Sequence, residues 1–358
     1  MTEHKPRILW DWGTAYDLFA SLNVLHYPEK FGLRGSWAAG VRSRLAAPQR
    51  TVLEQSQELF FSSPFAWVSS LPEPRDAAAV LWALSRIPPV ERLPTLSYHR
   101  DEAPEILEIL KEVMARRAWD ESDAERIKTH FHGKKEPAQS KWLVNLLNWW
   151  SHPEEFGEAY LSALQAYVAV FFSEEEQRIK PALQQALARA QQLSTHLGFS
   201  ELFIELSKGV KIAAIEGADE VTFVPSYWCT PLVMFDIRVK NQWVVLFGAR
   251  PAEVALVPGE VVPDAMLLAL KALSDPTRLR ILRYLSDQPQ TPSQLAKRLR
   301  LRAPTVIHHL NALRLARLVY ISLEGIEEEK RYTVRKTAVE ETFDALQHFL
   351  SVSGEDMA

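Results

Sequence analysis

The 358-residue chain contains one cysteine, Cys229, and only 13 glycines. A single thiol excludes an intramolecular disulfide framework and any cysteine-built zinc cluster, and it fits a reducing compartment, so the expected location is the cytoplasm. So little glycine leaves scant material for phosphate-cradling loops. No Gly-rich nucleotide loop, nucleophile elbow or HExxH pair is found, and neither a cofactor nor a catalytic centre is expected. Long apolar runs are missing as well. "AYVAVFF" and "WVVLF" fall far short of a bilayer span, and "MTEHKPRILWDWG" lacks the basic, apolar, small-residue plan of a signal peptide, so no membrane segment is expected.

What is present is material for a large core: 47% of residues are hydrophobic, and the length favours two or three domains. Net charge of −4 conceals a division along the chain. Residues 271–336 hold fourteen Lys or Arg against six Asp or Glu, a net +8, and the remainder carries −12. A basic C-terminal module on an acidic body points to a polyanionic partner.

Helical periodicity runs through "TAYDLFASLNVL", "TVLEQSQELF", "DAAAVLWALSRI", "PEILEILKEVMARR", "SKWLVNLLNWW" and the stretch 154–197, in which Pro181 marks a helix start or kink. From Val210, "VKIAAI", "EVTFV", "LVMFDIR" and "QWVVLFG" read as short strands. Their brief separators predict a small antiparallel sheet. Pro251, Pro258, Gly259 and Pro263 then mark a linker.

The C-terminal hundred residues return to helices. In "DPTRLRILRYL", Asp275 caps, Pro276 occupies the first turn, and Leu279, Ile281, Leu282 and Leu285 form an apolar face. "TPSQLAKRL" repeats the plan with Thr291 as cap and Leu295 and Leu299 four apart, and "RAPTVIHHLNALRLARL" follows at once. Two strand-like segments around a polar turn at 324–329 and a last amphipathic helix, "TAVEETFDALQHFLSV", complete a winged helix-turn-helix. The fold class is mainly α with small β: a helical body at 1–205, an antiparallel sheet at 206–250, a linker at 251–263, the winged helix at 264–352 and a flexible tail at 353–358.

In the third of these helices, Val306, Leu310 and Leu313 form one buried stripe with Ile307 at its edge. Helical rotation sends His308 to the opposite side and turns His309 back toward the core boundary. Adjacent helical residues diverge, so the pair is badly placed to chelate one ion. In a helix-turn-helix the second helix enters the major groove by its N-terminal part, which makes Thr305, His308, Ala303 and Asn311 the candidate base readers. Phosphate contacts are expected from Arg300, Arg302, Arg314 and Arg317 and, on the wing, from Lys330 and Arg331. Glu327, Glu328 and Glu329 would repel phosphate, so the tip is expected to point away from DNA or to contact it only through Lys330 and Arg331.

The combination of "ALSDPTRLRILRYL", "TPSQLAKRL", "PTVIHHLNALRLARLVY" and "LEGIEEEKRYTV" resembles the ArsR family of bacterial winged-helix regulators over residues 265–351. The resemblance implies double-stranded DNA as partner, a homodimer paired through the domain's first and last helices, and repression released by a ligand. His309 matches a histidine of the family pattern. Arg302 and Ala303 replace the serine cap and glutamine common there, a loss worth about 0.5–2 kcal/mol unless a phosphate satisfies the free N–H groups. Residues 1–250, through "LFASLNVLHYPEKFG" and "VPSYWCTPLVMF", resemble an uncharacterised region that precedes such domains in some bacterial regulators.

Metal-sensing relatives carry a cysteine motif that "PSQLAKRL" lacks. Asp344 with His348, and His130 with His132, are pairs without an evident third ligand, so no metal site is read. Trp10, Trp12, Trp37, Trp67, Trp82, Trp119, Trp142, Trp149 and Trp150 are read chiefly as core. The sharper alternative is an effector pocket lined by Tyr227, Trp228 and Cys229 for an unknown small molecule. The leading reading is a DNA-binding repressor. Left open is an enzymatic or ligand-processing body that uses the winged helix for dimerisation or docking.

Overall fold

A computed structural model describes residues 5–33, 35–60, 64–97, 104–130, 140–238, 241–255, 262–323 and 329–351. The molecule is 67% helical with small mixed sheets, so the mainly α class holds. Strand β1 (Arg7–Trp10) opens the chain. Helices α1 (Thr14–His26), α2 (Gly35–Arg42), α3 (Ala47–Leu59), α4 (Phe65–Ser70), α5 (Ala77–Arg86) and α6 (Pro89–Ser97) follow. Next come α7 (Pro104–Arg116), α8 (Glu121–His130), α9 (Ser140–Ser151) and α10 (Pro153–Tyr167). A π-helical turn at Val168–Phe172 leads into α11 (Ser173–Ser194), so the break in the 154–197 stretch falls there, and Pro181 lies inside α11.

After α12 (Phe199–Leu206), β2 (Val210–Ile212) and the short α13 (Ala213–Glu216), the chain enters β3 (Glu220–Ser226), β4 (Met234–Arg238) and β5 (Gln242–Gly248). The body's sheet has the order β1-β3-β5-β4. Its β1–β3 and β3–β5 pairs are parallel and only β4–β5 is antiparallel. The expected all-antiparallel sheet is thus corrected to a mixed one. The physical reason lies in burial: β3 is buried along its whole length and β5 over its five central residues. Both faces are covered, as is usual for parallel strands. Val224, Val244 and Leu246 pack on the main helical core, whereas Val221, Phe223, Trp243, Val245 and Phe247 pack under α11 and α12.

The expected strand in "VKIAAI" also belongs elsewhere. Val210–Ile212 pairs in parallel with Ile321–Leu323 and so joins the C-terminal unit, while the following AAI residues are helical.

That unit comprises α14 (Asp264–Leu273), α15 (Pro276–Asp287), α16 (Pro292–Leu299), α17 (Ala303–Leu315), β6 (Val319–Leu323), β7 (Arg331–Val334) and α18 (Lys336–Ser351). Asp275 accepts from Arg278 N at 2.9 Å, and Thr291 accepts from Gln294 N within a capping box, as their positions predict. Ile281, Leu282, Leu285, Leu295, Leu299, Val306, Leu310 and Leu313 share one core with β6 and β7. Burying such side chains contributes roughly 1.5–3 kcal/mol each. Leu279, expected on that face, is instead exposed (48%), because helical rotation places it about 110° from the centre of the stripe formed by Ile281, Leu282 and Leu285.

Arg250 and Asp264, which flank the expected linker, form an ion pair, with Nη1 3.1 Å from Oδ2. Pro258, Gly259, Glu327, Glu328, His132 and the tail 353–358 lie outside the described residues. No helix of the described residues is long and apolar enough to cross a membrane.

Candidate nucleic-acid interface

Helix α17 sits where its stripe directs it. Val306, Leu310 and Leu313 are fully buried, Ile307 is 39% exposed, and Thr305, His308 and Asn311 face outward together at i, i+3 and i+6. Ala303 is half-buried at the N-terminal end. Arg302 precedes the helix and supplies no side-chain cap, so the N–H groups of Ala303 and Thr305 have no side-chain acceptor beside exposed Arg300 and Arg302. Arg300 takes a left-handed conformation (φ 57°) at the end of α16, which makes the tight turn between the two helices. An uncapped helix N-terminus flanked by guanidinium groups is suited to a phosphate.

The two histidines separate as the rotation predicts. His308 is exposed, whereas His309 turns inward, with Nδ1 3.8 Å from Asp275 Oδ1. Burial holds His309 below the ordinary histidine range; Asp275 opposes this, and Arg278 and His308 add to it.

On the wing, Lys330 and Arg331 are exposed. Glu329 accepts a hydrogen bond from Ser293 Oγ at 2.7 Å, which draws this acidic residue onto the start of α16 and holds its carboxyl below the usual range. Periodicity carries no sign of this bond. The hairpin is also tied to the α15–α16 connection, since Gln290 and Tyr332 exchange backbone hydrogen bonds at 3.0 and 2.9 Å.

Two expected phosphate contacts are corrected. Arg314 and Arg317 do not share the outward face; both are half-buried, with their Nε atoms fully shielded. Arg314 follows Leu310 by four residues, so the helical repeat places it over the buried stripe. Arg317, beyond the helix end, is left-handed (φ 58°) between buried Ala316 and Leu318. Burial, reinforced by Arg250 and Arg335, pushes the Arg317 guanidinium down to about 10.

The expected effector pocket is corrected too. Tyr227, Trp228 and Cys229 are packed core, 2%, 1% and 0% exposed. Trp228 stacks on Trp37 with ring centroids 5.6 Å apart. Buried Asp17 accepts from Ser226 Oγ (2.7 Å), Trp228 N (2.8 Å) and Tyr227 N (3.2 Å), holding the segment inside. Burial drives the Cys229 thiol far above its ordinary value, which makes it a poor nucleophile. Most of the tryptophans are core or packed against it, but Trp82 is exposed, with the Arg86 guanidinium 5.6 Å from its ring.

Asp344 and His348 are exposed on α18. Among the described residues no three His, Cys, Asp or Glu gather to hold a metal ion.

Comparison with known proteins supports a winged helix-turn-helix in the C-terminal region. Residues 275–320 match the family described as bacterial regulatory protein, arsR family. The transcriptional repressor SdpR of Bacillus subtilis (strain 168) is 28% identical over 87 residues, an alignment spanning 24% of this chain and 94% of that protein. An ArsR-like transcriptional regulator from Rhodococcus sp. RHA1 is 33% identical, with 24% of this chain and 77% of that chain covered and a TM-score of 0.22. Residues 275–320 are thus an ArsR-family helix-turn-helix domain, set within an ArsR-type winged helix-turn-helix in the C-terminal region.

Proposed function

We propose that the protein is a sequence-specific, DNA-binding transcription repressor that acts in the cytoplasm as a homodimer on a two-fold symmetric operator. The carrying observation is the outward row Thr305, His308 and Asn311 on α17, beside an uncapped N-terminus bracketed by Arg300 and Arg302. Side chains in this row, with Ala303, reach base edges in the major groove. Arg300, Arg302, Lys330 and Arg331 meet phosphates and set the register. The repressive sign follows the named function of the Bacillus subtilis relative.

Dimer formation draws support from α18, where Phe343 is 52% and Leu350 73% exposed while the helix packs on α14 from its other side. The helical body serves as an effector-sensing or interaction domain, since β2 links it directly to the wing strand β6.

Selection of genomic fragments by the purified full chain tests the reading. A repressor enriches a palindromic site whose affinity falls steeply with salt; no enrichment, or a flat salt response, overturns it.

A further inference from the structure

Lys208 and Gly209 turn the chain out of α12 with positive φ values of 54° and 106°, and β2 then lies beside β6. Between this turn, residues 231–235 and the end of α17 is a cavity of about 180 Å³. Its apolar wall includes Val210, Ile212, Leu232, Phe235, Val319 and Ile321. Its charged lining is of one sign: Lys208, Arg314, Arg317 and Lys330, with no Asp or Glu among the described lining residues.

Lys208 has an acidic partner outside the lining, Glu205, at 2.6 Å. Arg314 and Arg317 have none: each has a buried Nε without an acceptor, and neither guanidinium makes an ion pair or side-chain hydrogen bond with a described residue. Glu341, which also faces Arg317 across the neighbouring cleft, is engaged by Arg335 at 3.1 Å. A shielded guanidinium nitrogen requires an acceptor, and the planar fork of an arginine matches a carboxylate.

We propose that this cavity binds a small amphipathic carboxylate, its anionic end on Arg314 and Arg317 and its apolar end against Val210, Ile212 and Phe235. The extent of apolar wall favours a carboxylic acid with a hydrocarbon body over a sugar phosphate or a bare inorganic anion. Body, wing strand and the last turn of α17 all border the site, so occupancy adds negative charge close to the DNA-facing module and weakens operator binding. That regulatory step rests on the repressor reading; the binding step does not.

The test uses the full chain at constant ionic strength with benzoate and hexanoate as probes, benzamide as the neutral counterpart, and inorganic phosphate. Calorimetry and thermal unfolding are expected to show binding by both carboxylates and none by benzamide, with phosphate much weaker. Arg314→Met is expected to weaken benzoate binding about tenfold to a hundredfold, the range for a charged hydrogen bond. Its unliganded unfolding midpoint should hold or rise, because a buried like charge has been removed. If that variant does not fold, Arg317→Asn, tolerated in the left-handed backbone, reads the same loss. Equal binding of benzamide or phosphate, no response to either carboxylate, or undiminished binding by the variants overturns the assignment. In a parallel arm, benzoate should weaken binding to the selected operator in the wild type but not in Arg314→Met. A chain that binds benzoate but no DNA refutes the repressor reading and leaves the cavity assignment standing; operator binding indifferent to bound benzoate refutes the regulatory step alone.

Discussion

His309 Nδ1 lies 3.8 Å from the Asp275 oxygen that caps α15, so the inward histidine of α17 braces the helix that carries its own module's core. His308, its neighbour, touches no cap and faces outward. His309→Ala is expected to cost on the order of 1 kcal/mol of stability, as packing against α15 is lost. His308→Ala should stay within about 0.5 kcal/mol of wild type yet relax base preference at the operator. Thermal unfolding with binding to single-base operator variants checks both; a destabilised His308→Ala with unchanged base preference would reverse the assignment.

Gly209 is the joint between body and wing. At φ 106° it occupies backbone space that other residues avoid, and an added Cβ would stand 2.6 Å from Tyr320 Cδ1. Ile321 N also donates to Gly209 O at 2.9 Å, so displacement of this residue disturbs the β2–β6 pairing. Gly209→Ala is expected to destabilise the chain by about 1–3 kcal/mol. Adding Tyr320→Ala should remove the collision but not the backbone strain, giving partial recovery relative to the sum of the two single effects. Denaturant unfolding of all three variants decides it; a neutral Gly209→Ala would mean that the joint bears no strain.

The division between what was legible and what was not follows the range of the interactions. Helices α15, α16 and α17, their Asp275 and Thr291 caps, and the separation of His308 from His309 depend on contacts three or four residues apart, which period and spacing express. The β2–β6 pairing joins three-residue segments more than a hundred residues apart, and nothing local announces it. Aromatic richness around Trp228 suggested a pocket, but the buried Asp17 that gathers this segment into the core comes from α1, about two hundred residues earlier. Arg314 was readable in principle: its four-residue spacing from Leu310 put it over the stripe, and its charge argued the other way.

His26 supplies a pH dependence. Burial, with Arg42 and Lys30 nearby, lowers it to about 4 from an ordinary value of 6.5. A histidine lowered in the folded state contributes stability above its unfolded value, and that contribution is lost as pH falls from 6.5 through 4. Asp17 acts in the opposite sense: burial raises it to about 6 against three hydrogen bonds, so its contribution is greatest in acid and is lost as pH rises from 3.8 through 6. The two offset each other in the wild type. His26→Leu should therefore gain on the wild type during acidification from pH 7 to 4, by on the order of 1–2 kcal/mol once partial exposure is allowed for. Parallel denaturant titrations across this range test it, and a stability difference that does not vary with pH rules out His26 as the titrating group.

The uncapped start of α17 is expected to couple DNA binding to local order. Without a side-chain cap at Arg302, the Thr305 N–H lacks an acceptor and the turn Thr305–Ile307 frays more readily than the start of α16, whose Thr291 caps its helix. A phosphate seated on the α17 N-terminus supplies the missing acceptor. Hydrogen exchange at Thr305–Ile307 should slow on operator addition, and Arg302→Ala should reduce the slope of log affinity against log salt by about 1. Unchanged exchange with a saturating operator would separate this end of the helix from the phosphate backbone.

The dimer prediction turns on α18. Thr342 and Ala338 are buried toward the module's own core, which leaves Phe343 and Leu350, seven residues apart and so on one side of the helix, exposed to solvent. An apolar seam of this kind is costly in a monomer and is satisfied when a second copy covers it isologously. Phe343→Glu combined with Leu350→Glu should give a folded monomer, because neither side chain supports its own module. Loss of the dimer also halves the recognition surface, so affinity for a palindromic operator should collapse toward that for a single half-site. Sedimentation paired with circular dichroism reads the outcome. A double variant that remains dimeric moves the interface off α18, and one that unfolds would mean that these two side chains hold the module itself together.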